Sequence, residues 1–174
     1  MTAQRGVVVW FTGLPASGKS TLATRVRARI GDCIVLDSDA VRDVLGAGDY
    51  TRTDRDAFYR TLVQLADLFA RQGFVVLVAA TAPRRAYRDA ARALVPGFVE
   101  VHVQTAREIC ERRDIKGLYA RARAGDAPTL PGMGELYEPP LSPEVVATGG
   151  EDDAAVMAIV QRIVQHQVRT REPV

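Results

Sequence analysis

Short apolar runs alternate with longer amphipathic stretches along the first two thirds of the chain. Val7 to Thr12 is an unbroken β-rich run, Cys33 to Leu36 a second, Phe74 to Val78 a third and Phe98 to Val103 a fourth. Continuous rather than alternating apolar runs belong to strands buried on both faces, as in a parallel sheet. The segments between them carry helical spacing. Helices are expected from about Lys19 to Ile30, Ala40 to Leu45, Asp54 to Gln72, Arg84 to Leu94 and Ala106 to Arg113. In the longest of these, Phe58, Leu62, Leu65 and Phe69 share one face, and Gly73 ends the element. Strands that alternate with helices in this way predict an α/β fold, a parallel sheet covered by helices.

The pattern changes after Asp114. Five of the nine prolines fall between Pro128 and Pro143, together with Gly125, Gly132 and Gly134. A loop this long inside a compact domain is either functional or disordered. Val145-Val146-Ala147 is expected as a short fifth strand. A last helix from about Asp152 to Val168 carries Val156, Ile159, Val160 and Ile163 at 3.6-residue spacing. No repeat or linker divides the chain, so residues 1–174 are expected to form one domain, a length that supports a single sizeable core.

Between the first strand and the first helix lies Gly13-Leu14-Pro15-Ala16-Ser17-Gly18-Lys19-Ser20, a complete match to G-x-x-x-x-G-K-[ST]. Each part has a physical task. The glycines let successive backbone N–H groups turn inward toward phosphate oxygens, and the helix that follows adds its positive N-terminal end. Lys19 supplies a point charge to the β- and γ-phosphates, Ser20 a hydroxyl ligand for Mg²⁺, and Thr21 a further hydroxyl. The expected ligand is a nucleotide phosphate.

The second strand runs out into Leu36-Asp37-Ser38-Asp39. Ligands of open α/β sheets bind at the carboxyl ends of the strands, so two carboxylates there suit orientation of Mg²⁺ through water and acceptance of a proton from an attacking hydroxyl. Asp39, further out from the strand, is the better candidate base. One of the two carboxylates equally fits an N-cap for the helix expected from about Ala40, since Asp and Ser are both good N-caps. No later strand ends in the aspartate of many ATPases, and no Asn-Lys-x-Asp guanine-reading motif occurs. A small-molecule kinase suits this pattern better than a motor or a GTPase.

Composition sharpens the picture at one point. The 23 basic and 21 acidic residues leave a net charge of +2, which argues against a dedicated nucleic-acid binder. Of those 23, 21 are arginine; the two lysines are Lys19 and Lys116. The series Arg84, Arg85, Arg88, Arg92 has helical spacing and is expected to be a solvated face. Cys33 and Cys110 are too few for a disulfide framework and are expected in the core. The first apolar run is too short for an export signal or a membrane span, so a cytoplasmic protein without membrane association is expected.

Beyond the loop, the chain resembles the adenylylsulfate (APS) kinases from about Val7 to Pro143. The most specific segment is Cys110-Glu111-Arg112-Arg113-Asp114-Ile115-Lys116-Gly117-Leu118-Tyr119, which is similar to that family's Cys-Glu-x-Arg-Asp-x-Lys-Gly-Leu-Tyr lid signature. Tyr137-Glu138-Pro139-Pro140 resembles its Tyr-Glu-x-Pro turn, Leu36 to Asp39 with Arg42 its Leu-Asp-Gly-Asp-Asn-x-Arg motif, and Asp54-Arg55 its Asp-Arg pair. The resemblance implies a P-loop kinase with a five-stranded parallel sheet, helices on both faces and a lid at about 114–140. It implies phosphoryl transfer from MgATP to the ribose 3′-hydroxyl of adenosine 5′-phosphosulfate, and a possible homodimer. Arg42 and Arg55 would hold the phosphosulfate end, Tyr50 would stack on the acceptor's adenine, and Lys116 would be the lid lysine near the reacting phosphates.

Departures from the family pattern gather on the acceptor side. Phe58 replaces an asparagine, Ala80-Thr81-Ala82-Pro83 stands for Phe-Ile-Ser-Pro, Leu130 for a second stacking phenylalanine, and Gly132-Met133-Gly134 for Gly-Ile-Asp. Two other readings therefore stand beside APS kinase: a divergent kinase acting on another hydroxyl acceptor, and a non-catalytic nucleotide-binding protein.

Overall fold

A computed structural model describes residues 6–47, 50–114 and 116–170. Ile115 of the lid signature and both ends of the expected 1–174 domain lie outside the described residues. Five strands, β1 (Val7–Thr12), β2 (Ile34–Asp37), β3 (Val75–Ala79), β4 (Phe98–Val103) and β5 (Val145–Ala147), form one sheet in the order β2-β3-β1-β4-β5. Every pairing is parallel. The helices are α1 (Lys19–Ile30), α2 (Ser38–Leu45), α3 (Arg52–Arg71), α4 (Arg85–Leu94), α5 (Arg107–Arg112), α6 (Leu118–Arg123) and α7 (Asp153–Arg169).

The central strand explains the two-sided core. All six residues of β1 are buried. Because successive side chains leave a strand on opposite faces, Val7, Val9 and Phe11 enter one core with Leu22 and Val26 of α1 and Ile159 and Ile163 of α7. Val8 and Trp10 enter the other, with Leu62 and Ala66 of α3 and Ala91 of α4. In register, Phe11 lies beside Ala79, Asp37 also beside Ala79, and Thr12 beside His102. The strands thus end along one edge, and Gly13 and Asp37 emerge there together.

Several expected boundaries move. The second strand runs one residue later, so Asp37 is its last member and Cys33 falls before it, half-buried at the side of the core; Cys110 is fully buried as expected. Phe74 is outside its strand and exposed. The helix expected from Ala40 starts at Ser38, because Asp37 accepts a hydrogen bond from Asp39 N and caps it. The long helix begins at Arg52, capped by Thr51, whose hydroxyl accepts from Asp54 N. Within the stretch read as loop, residues 118–123 form α6, whose cap is described below.

The arginine series at α4 is a solvated face only in part: Arg92 is exposed and Arg84 and Arg85 are partly so, but Arg88 turns inward. Arg88 is only 1% exposed. Its Nε donates to Glu100 Oε1 at 2.7 Å, Nη2 donates to Glu138 O at 2.7 Å, and Nη1 donates to Ala82 O. Arg92 bridges Glu144 at 2.6 and 3.0 Å and Glu100 at 3.3 Å, and Glu144 also accepts from Glu100 N at 2.6 Å. The misreading has a physical origin: helical periodicity assigns charge to the outer face, but Glu100, on the buried strand β4, needs a cation beside it. The network also ties the segment after Tyr137 to the sheet. Removing Arg88 leaves the buried Glu100 only the longer contact to the exposed Arg92, so the cost approaches that of breaking a buried pair, about 3–5 kcal/mol. Arg88→Ala should therefore lower the stability measured by urea unfolding by about that amount. Arg25→Ala, which breaks the solvated pairs to Glu151 and Asp153, should cost less than about 1 kcal/mol.

Candidate active site

The loop from Gly13 to Gly18 leaves β1 and turns directly into α1. Ser17 N donates to Leu14 O at 3.1 Å, closing the turn, and Thr105 Oγ1 donates to Ser17 O at 2.7 Å from the end of the neighbouring strand. Gly18 takes φ +102° at the N-cap, where no side chain bonds the first turn of α1. Among the described residues the N–H groups of that turn thus have no side-chain cap, which suits an anion site at a helix N-terminus. Among the described residues, the buried Ser17 Oγ also lacks a hydrogen-bond partner. Lys19 folds over the loop and donates to Gly13 O at 3.1 Å and Leu14 O at 2.8 Å. Burial pushes its ammonium down from 10.5 to about 8, against the pull of Cys110, Asp39 and Asp37.

A contact that sequence reasoning missed fixes the start of α1. A Cβ on Gly18 would come within 2.5 Å of Gly150 N, and one on Gly150 within 2.7 Å of Thr21 Cβ and 3.0 Å of Gly18 O. The Gly149-Gly150 turn between β5 and α7 is thus the seat of the phosphate-loop helix. Asp152 holds that turn, accepting from Thr148 N at 2.9 Å and from Ala155 N at 2.9 Å. The signal was present as a Gly-Gly pair before an aspartate cap.

The acidic pair divides its work. Asp37 Oδ1 accepts from Asp39 N at 3.0 Å, the N-cap bond, while Oδ2 accepts from Ser20 Oγ at 2.5 Å. The capping and ligand readings are therefore compatible in one carboxylate. Asp39 is exposed and pairs with Lys116; that bond raises the Lys116 ammonium, against partial desolvation. The two lysines and two aspartates so meet at one sheet edge. A hydroxyl beside a carboxylate is a suitable donor set for a hard cation that keeps most of its ligands from water and phosphate.

The lid is built from Asp114. Its carboxylate accepts from Leu118 N, Tyr119 N and Ala120 N at 2.7, 2.9 and 3.1 Å, and Gly117 turns left-handed at φ +65°. This multiple cap creates α6, too short for periodicity to reveal. Tyr119 then donates to Pro15 O at 2.9 Å, and burial raises its hydroxyl. Cys110, Tyr119 and Leu130 form a small core with Leu14 and Met133, which rests the lid on the phosphate loop.

On the side expected to take the acceptor, Arg42 and Arg55 are both buried. The Arg42 guanidinium lies 3.7 Å from the centroid of Phe58 and 4.7 Å from that of Tyr50, which is itself half-exposed. Arg55 donates to Thr129 O at 3.0 Å and pairs with Glu135, a residue that sequence reasoning did not single out. Leu130 is buried in the lid core rather than open for stacking. A depression of about 340 Å³ lined by Ala47, Asp54 and Phe58 adjoins this cluster. The larger groove, about 530 Å³ between α3 and α4, shares none of these residues.

A parallel sheet with a phosphate loop after its central strand, carboxylates at the end of the edge strand β2 and a lid across them defines a P-loop kinase. The adenylylsulphate kinase family profile matches residues 5–148. The adenylyl-sulfate kinase of Paraburkholderia xenovorans is 42% identical over 174 residues, covering 97% of this chain and 96% of its own. That of a Synechococcus strain is 44% identical over 154 residues, 86% and 88% of the two chains. The Mycobacterium tuberculosis APS kinase in complex with AMPPNP and APS superposes with a TM-score of 0.81 at 36% identity, over 93% of this chain and 97% of that one. The chain belongs to the adenylylsulphate kinase family.

If Gly150 seats the phosphate loop, Gly150→Ala should push Thr21 and Gly18 away from the Gly149-Gly150 turn. The expected outcome is about 1–3 kcal/mol of lost stability, as for overpacking in a tight site, together with weaker ATP binding by isothermal titration.

Proposed function

We propose that this chain phosphorylates the 3′-hydroxyl of adenosine 5′-phosphosulfate with MgATP, giving the 3′-phosphorylated product and ADP. The observation that carries this reading is the meeting of Lys19, Ser20–Asp37 and Asp39–Lys116 at one sheet edge, in a chain of this family. Lys19 and the N-terminus of α1 would bind the β- and γ-phosphates, with Gly13, Leu14, Pro15, Ala16, Ser17 and Gly18 wrapping them and Thr21 adding a hydroxyl. Ser20 and, through water, Asp37 would hold Mg²⁺, which neutralises charge on the phosphates. The acceptor oxygen attacks the γ-phosphorus, the bond to the β-phosphate oxygen breaks, and Asp39 takes the hydroxyl proton. Lys116 would bring its charge to the transferring group, and residues 114–140 would act as the lid that excludes water. The hold of Tyr119, Leu130 and Met133 on the phosphate loop supports that role.

Arg42, Tyr50, Arg55, Phe58 and Leu130 would shape the acceptor pocket. The buried position of Leu130 favours one alternative, a kinase of this family acting on a different hydroxyl acceptor. The cytoplasmic setting is supported by the need for ATP, and a homodimer by family resemblance alone.

Incubation with MgATP and APS should release ADP in step with 3′-phosphorylated product. Lys19→Ala should lower kcat by about 10²–10³, as for loss of one charge stabiliser, and Asp39→Asn by about 10²–10⁴, as for loss of a base. Background ADP release with APS and stoichiometric turnover of another nucleotide-linked alcohol would overturn the acceptor assignment and keep the kinase. Lys19 gives a separate test. Its ammonium is half-lost near pH 8 in the free protein, and bound phosphate favours the charged form. ATP binding at pH 8.5 should therefore take up protons, measured by calorimetry in buffers of different ionisation enthalpy. The uptake should fade toward pH 7 and vanish in Lys19→Met.

A further inference from the structure

Two arginines from different places converge on one carboxylate of the lid. Arg55 of α3 pairs with Glu135, and Arg84, just before α4, lies 3.4 Å from the other oxygen of the same carboxylate. Arg55 is 5% exposed. A guanidinium so buried is costly to leave without an anion, and Thr129 O, its other partner, is neutral. Arg42 is satisfied differently, by the faces of Phe58 and Tyr50 and a 3.4 Å bond to Ala47 O. Of the two arginines proposed for the acceptor's anionic tail, one already holds a carboxylate and the other holds none among the described residues.

We propose that Glu135 is a specificity-determining residue: an internal anion that occupies Arg55 and Arg84 until the acceptor's phosphosulfate takes its place. The proposal rests on the reading of APS as acceptor. A phosphosulfate carries negative charge on both of its groups, and like charges brought together on one guanidinium repel. The acceptor tail and Glu135 therefore exchange rather than share Arg55. An alcohol with a neutral tail lacks the charge to displace the carboxylate, so the internal anion discriminates against it. Release of Glu135 also reaches the nucleotide site. Glu135 N donates to Leu130 O at 3.2 Å and Gly132 N to Glu135 O at 2.7 Å, making residues 130–135 a closed turn. Leu130 and Met133 of that turn pack with Leu14 of the phosphate loop.

The test compares the wild type, Glu135→Gln and Glu135→Asp, by steady-state kinetics with MgATP and APS and by thermal melting with MgAMPPNP, with and without APS. Loss of the competing anion should lower the KM for APS in Glu135→Gln by about fivefold or more, the lower end of ordinary coupling between two ligands. Glu135→Asp should keep a KM near that of the wild type. Glu135→Gln should melt below the wild type without APS, and APS, by supplying the missing anion, should close most of that gap. An unchanged or raised KM in Glu135→Gln, or a melting gap that APS leaves intact, would show Glu135 to be a fixed structural partner and overturn the proposal. A wild type that is neither turned over with nor stabilised by APS would instead remove the acceptor reading, and the exchange with it.

Discussion

A strand buried on both faces and both edges can satisfy its backbone only through a neighbour on each side, and β1 is such a strand. Its parallel pairing with β3 and β4 fixes where all five strands end. That edge is where Gly13 begins the phosphate loop and where Asp37 closes β2. The helices that cover the two cores need only complementary apolar faces. The site needs more: the phosphate-loop backbone must lie against the Gly149-Gly150 turn, and a single methyl group on either side of that contact has no room. The chemistry at the edge is thus built on backbone approach before any side chain is considered.

Arginine is the other organising chemistry. Among the described residues three of them are buried, and each is satisfied by a different route. Arg88 faces Glu100 and two carbonyls inside a network that spans α4, β4 and the segment before β5. Arg42 is stacked between aromatic faces, where a planar, weakly hydrated cation is at home. Arg55 holds the carboxylate of a loop that also rests on the phosphate loop. The first is structural, whereas the other two border the pocket proposed for the acceptor. The two lysines meet at one sheet edge, Lys19 on the carbonyls of the phosphate loop and Lys116 on the carboxylate of Asp39.

Much of this was legible in the order of residues. Five strands and the helices after them follow from continuous apolar runs and 3.6-residue spacing, and the phosphate loop from its motif. What periodicity missed has local causes. The helix α6 is one turn and a half held by the Asp114 carboxylate, too short to show a repeat. Arg88 sits at a position that helical spacing makes polar, yet faces a strand glutamate 12 residues further on. Glu135 carried no motif at all, and its meeting with Arg55 spans 80 positions of the chain.

The sequence by itself determined the fold class, the phosphate loop, the acidic pair and the lid signature, because each is written in contiguous residues whose backbone geometry is set by near neighbours. Tertiary structure alone decided that Asp37 serves Ser20 and the α2 cap at once, that Lys116 reaches Asp39, that Gly150 seats α1 and that Glu135 meets Arg55 and Arg84. Those pairings depend on the register and packing of distant elements, and the cost of burying a charge without a partner selects among them only once the chain has folded.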